Sequence, residues 1–88
     1  MSYDLRLTQA SFDLLARLHT KGAIIVFNDT VGAFYFQHGQ AIDKVRSTTV
    51  DLLSRAGFIA RLAGSPVPIY RITKKGSDYL LSLPTYRH

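Results

Sequence analysis

The chain has 88 residues, 47% of them apolar, with five Phe and five Tyr. That length holds one hydrophobic core and not two, so residues 1–88 are expected to form a single domain, and the apolar content is too high for a disordered chain. Eleven Lys and Arg against six acids give a net charge of +5, and the absence of Cys excludes disulfide scaffolds, thiol catalysis, iron–sulfur clusters and thiolate zinc sites.

The first predicted element is a helix over residues 9–20. Thr8 is a good N-cap, and Leu7 and Phe12 have the spacing of a hydrophobic staple. Phe12, Leu15, Leu18 and His19 recur at helical spacing, and Lys21 with Gly22 supplies a C-terminal stop. Residues 23–27 and 33–37 are β-branched and aromatic, and Asn28, Asp29 and Gly32 between them tolerate tight-turn geometry, so a β-hairpin is expected, broken after it by His38 and Gly39. Residues 43–56 read as a second helix that starts anywhere from Gln40 to Thr48 and stops at Gly57, with Thr48 and Asp51 at capping-box spacing. Residues 58–62 and 69–73 read as two strands joined by a tip that contains Pro66 and Pro68, which cannot donate to a ladder. Thr73 caps a last helix over 74–82, stopped by Pro84. Consecutive apolar residues in the hairpin cannot all face one side of a sheet. They are covered by the last helix or form a surface for another chain.

Charge is distributed unevenly. Residues 1–43 carry three cations against four acids, net −1, and residues 44–88 carry eight against two, net +6. A surface of one sign attracts a polyanion, and a nucleic acid is the first candidate.

The run Thr49, Val50, Asp51, Leu52, Leu53, Ser54, Arg55, Ala56, Gly57, Phe58, Ile59 resembles the recognition-helix segment of winged helix-turn-helix regulators. Tyr70 to Gly76 is similar to the strand and helix start that follow the wing in MarR-like regulators, and Leu7-Thr8 ahead of a Leu-rich helix fits their first helix. The resemblance covers about residues 7–83. It implies an α+β winged helix: helix, β-hairpin, recognition helix, two-stranded wing and C-terminal helix. This chain departs from the pattern where the family has a second helix, because a hairpin fills most of that span. That helix is either confined to residues 40–44 or missing.

A helix fits the major groove of DNA, and polar residues near its N-terminus reach base edges. Two helical-wheel registers are open. One buries Val45, Thr49, Leu52, Leu53 and Ala56; the other, implied by the resemblance, buries Val50 and Leu53 and leaves Leu52 marginal. Both expose Ser47 and Asp51, with Thr48 and Arg55 at the border. The candidate contacts are Lys44 and Arg46 at the entry, Ser47, Thr48, Asp51 and Arg55 on the helix, Arg61, Ser65 and Arg71 on the wing, and Lys74 and Lys75 at the last helix start. The Arg and Lys side chains suit phosphate or guanine, the hydroxyls suit phosphate or bases, and Asp51 suits the cytosine amine.

His19, His38 and His88 have no metal-ligand spacing, no Gly-rich phosphate loop follows a strand, and no nucleophile–base set is evident, so neither a metal, a cofactor nor an enzyme is expected. The longest apolar run, residues 23–27, is far below the ~20 residues of a membrane span, and residues 1–7 lack the pattern of a secretory signal. The sequence thus predicts a cytoplasmic, nucleoid-associated repressor that binds double-stranded DNA by occupancy. It is expected to be a homodimer through the 23–37 hairpin or the last helix. A winged-helix adaptor docking on transcription or replication machinery is the alternative, and an RNA-binding winged helix is a third.

Overall fold

The computed structural model describes residues 8–83. The Leu7 staple and the Pro84 stop lie outside them. Helix α1 (Gln9–Leu18) begins at Thr8, whose hydroxyl accepts from the Ser11 backbone N–H at 3.1 Å. It ends two residues earlier than the periodicity suggests, at the His19 cap, and Gly22 then reverses the chain at a φ of 87°.

Strands β1 (Ile24–Asn28) and β2 (Ala33–His38) form the expected hairpin. Its turn is organised by Asn28, whose Oδ1 accepts from the Thr30 and Val31 N–H groups, an Asx turn. The strand ends at His38, as expected, but the sheet continues. A two-residue loop, Gly39 and Gln40, leads into a third strand, β3 (Ala41–Val45), in antiparallel register with β2 from Phe34–Val45 to His38–Ala41. Gly39 has φ of 61°, the left-handed value required at the first position of a II′ turn.

The second helix therefore begins near the late end of the range from Gln40 to Thr48 that the sequence leaves open. Helix α2 is Ser47–Arg55, with Arg46 as its N-cap, and residues 43–45 belong to the sheet. Thr48 lies inside the first turn, so the Thr48–Asp51 capping box does not form. Of the two alternatives for the family's second helix, the structure has the second: residues 41–45 are a strand, and among the described residues no helix lies between β1 and α2. At its other end the Phe58 N–H reaches the Leu53 carbonyl and the Gly57 N–H reaches Ser54, while Gly57 adopts φ of 81°. This is a Schellman stop.

Strands β4 (Ile59–Arg61) and β5 (Ile69–Ile72) are shorter than the sequence suggests and pair antiparallel from Ile59–Ile72 to Arg61–Tyr70. Helix α3 (Lys74–Ser82) starts at Thr73, whose hydroxyl accepts from the Gly76 N–H and donates to the Gly57 carbonyl. One hydroxyl thus ties the end of α2 to the start of α3.

The result is an α+β arrangement of three helices and one antiparallel five-stranded sheet, in the order β3-β2-β1-β5-β4. The buried core unites Leu14, Leu15 and Leu18 of α1, Val50 and Leu53 of α2 and Leu80 of α3 with Ile25, Phe36 and Ile59 of the sheet. Strand alternation puts those three sheet residues on one face, and the helices cover it. Across its rim, Arg17 pairs with Asp43 and lays its guanidinium 4.2 Å from the Phe36 ring centroid. The opposite face carries Ile24, Val26, Tyr35, Ile42 and Ile69, none of them in the core cluster. The last helix packs on β5 and does not cover these hairpin residues, which corrects that expectation. Among the described residues, no helix is long and apolar enough to cross a membrane.

Candidate nucleic-acid interface

The register of α2 decides which side chains it offers. Thr49, Val50 and Leu53 are buried, Leu52 is half-buried, and Ser47, Thr48, Asp51, Ser54 and Arg55 are exposed. This is the Val50–Leu53 register of the two that the sequence leaves open. At about 1.5 Å per residue the nine-residue helix is about 13 Å long, and its polar face runs the whole length.

The start of α2 is cationic. β3 passes into the helix through one residue, Arg46, so Lys44 and Arg46 are fixed next to the first turn. With Ser47 and Thr48 they line an open groove against Val31, Gly32 and Ala33 of the β1–β2 turn. That groove contains no acidic side chain. Neither cation has an ion-pair partner among the described residues, and Arg46 makes no side-chain capping bond. Arg55 is engaged differently: its Nε lies 3.0 Å from Asp51 Oδ2, an exposed i,i+4 pair. Such a pair contributes little to stability, about 0.3–0.5 kcal/mol. It does neutralise Asp51 and reduce the charge Arg55 offers a ligand.

The residues expected on a wing do not converge. Arg61 pairs with Tyr70 and Arg71 with Ala60 in successive register positions, so the two arginines point to opposite faces of the sheet. Only Arg61 shares the helix-bearing face with α2. Ser65 spends its hydroxyl within the tip, donating to the Val67 carbonyl at 2.6 Å. Lys74 pairs with Asp78 at 2.8 Å, and this hydrogen bond holds the Lys74 proton above the ordinary lysine value of 10.5. Lys75 extends over the Phe58 ring, beside Gly57. Both lysines therefore sit by the C-terminal end of α2, away from Arg46.

The structure brings in residues outside the predicted set. A second groove of about 390 Å³ runs along α2, lined by Ser47, Thr48, Val50, Asp51 and Ser54 on the helix and by Phe34 and Tyr70 on the sheet. The Phe34 and Tyr70 ring centroids are 6.0 Å apart, and Phe27 lies 4.9 Å behind Phe34. The signal for this cluster was strand alternation, which places Phe27, Phe34 and Tyr70 on one face once β1 is paired with both neighbours. Among the described residues no group of three or more His, Cys, Asp or Glu is placed to hold a metal ion. Comparison with protein-family models, curated proteins and solved structures finds no match to this chain.

Proposed function

We propose that the chain is an atypical winged-helix protein that binds double-stranded DNA as a sequence-specific regulator, most simply a repressor acting by occupancy. One observation carries this reading: a helix with an exposed polar face begins directly beside Lys44 and Arg46, in a groove free of acids. A helix of this kind places Ser47, Thr48 and Asp51 toward base edges while the flanking cations hold phosphates. In place of a preceding helix, the β2–β3 hairpin positions the entry residues. Arg46 and Arg61 are the principal phosphate contacts; Lys44, whose strand position opposite Tyr35 is on the other sheet face, only borders the groove that Arg46 lines. Lys74 and Lys75 would reach the backbone only beyond the far end of α2, and Arg71 belongs to the other sheet face.

Homodimerisation fits the sheet face that none of the described helices covers. Ile24, Val26, Tyr35 and Ile69 form its apolar centre, Ile42 is 60% exposed beside it, and Lys44 and Arg71 stand at its margins. A two-fold dimer presents paired helices about one turn of DNA apart, ~34 Å. Selection of bound sequences from a random duplex pool tests both parts: enrichment of a palindrome with half-sites one turn apart is expected. The same sheet face favours the adaptor reading as second choice. A pool that yields no enriched sequence gives that reading precedence.

A further inference from the structure

We propose that the groove between α2 and the sheet is a well for a single unpaired nucleobase of the bound DNA, so that the protein prefers a duplex containing one extrahelical base to a perfect duplex. The inference rests on the DNA-binding reading and names the feature of DNA that the site would select.

The floor of the groove is aromatic. Phe34 and Tyr70 are half-buried at the edge of the core, their ring centroids 6.0 Å apart with the planes at 65°, and Phe27 lies 4.9 Å from Phe34. Aromatic floors of this kind bind flat π-systems by stacking, and every base has such a face. The rim is polar: the hydroxyls of Ser47, Thr48 and Ser54 and the Asp51 carboxylate offer donors and acceptors to the edge of a ring. The volume, about 390 Å³, lies at the small end of ligand clefts, which run about 300–1,000 Å³. It admits one ring system and is too small for a peptide helix.

Charge selects a base attached to a nucleic acid over a free aromatic molecule. The well shares Phe34, Ser47 and Thr48 with the basic groove that holds Lys44 and Arg46. On the other side Arg61 stands across the strand pair from Tyr70 on the same sheet face. An aromatic pocket that opens into a cationic channel holds a base in the pocket and its flanking phosphates in the channel. Displacing a base from the stack costs least where it has no partner, which is why an extrahelical base is the ligand and a paired base is not.

The test is a fluorescence-anisotropy titration of the full chain with two labelled duplexes, identical except for one central unpaired cytosine. The readout is the ratio of the two affinities, for the wild type, Tyr70→Leu and Ser54→Met. Ser54 is exposed, so Ser54→Met fills the well without touching the core, and it answers the question even where Tyr70→Leu fails to fold. The wild type is expected to favour the bulged duplex about tenfold, and both variants are expected to bring the ratio close to one. Tight but equal wild-type binding of both duplexes overturns the base well and leaves the DNA-binding reading intact. Binding of neither overturns both. A preference that survives both substitutions places its source elsewhere and overturns the well.

Discussion

Gly76 illustrates how one residue links two elements. It is buried in the first turn of α3, where a Cβ would lie 2.4 Å from the Phe58 carbonyl oxygen and 3.0 Å from Ile72 Cγ1. In an exposed helix Ala is favoured over Gly by about 1 kcal/mol. Here the clash is with backbone, and relief requires α3 to move off the β4 entry. Gly76→Ala is expected to lower stability by up to about 2 kcal/mol net, since overpacking costs about 1–3 kcal/mol and the helix-propensity gain offsets about 1 kcal/mol of it. Chemical denaturation measures this directly, and an increase in the unfolding midpoint would contradict the close approach. The sequence placed Gly76 in a family-like run but not under Phe58, because that contact exists only when α3 docks. The same holds for Tyr70. Its strand was legible from Ile69 to Ile72, yet its place beside Phe34 depends on β1 pairing with β5, a non-local choice that leaves no local pattern.

Among the elements, those with strong local signals were readable. Thr8 and Thr73 cap α1 and α3 where their sequence suggests, and Gly57 stops α2. β3 was not readable as a strand. Ala41-Ile42-Asp43-Lys44-Val45 does not alternate, since two apolar residues are followed by two charged ones; it is an edge strand with both faces largely exposed, and it runs straight into helical sequence. The Gly39-Gln40 pair was the available signal, a glycine at the first position of a two-residue loop. Gly39→Val puts a β-branched residue at positive φ, where an ordinary L-residue already pays about 1–2 kcal/mol. Hydrogen exchange is expected to accelerate across residues 41–45 while the amides of Leu15 and Leu53 in the helical core hold their protection. Unchanged exchange in β3 would show that the II′ turn does not anchor it. The consequence reaches the candidate interface, since β3 sets the position of Arg46.

At the scale of the whole molecule, the charge asymmetry of the sequence survives folding but is divided among three places. Lys44 and Arg46 flank the start of α2, Lys74 and Lys75 lie near its end, and Arg61 and Arg71 face opposite sides of the sheet. Composition could count these cations but could not sort them by face, because sorting needs the strand register. The α+β class and the exposed side of α2 were legible; the five-stranded sheet and the face that none of the described helices covers were not, since both follow from β3 and from the central place of β1. The most direct test is the salt dependence of binding to random-sequence duplex, for the wild type and Arg46→Ala. Affinity is expected to fall linearly on a log–log plot, with a slope near −0.9 for each phosphate neutralised, and Arg46→Ala should reduce that slope by about one. A wild-type affinity that is weak and indifferent to salt, or a slope that Arg46→Ala leaves unchanged, would contradict the assignment of α2 and its cationic entry as the surface that meets DNA.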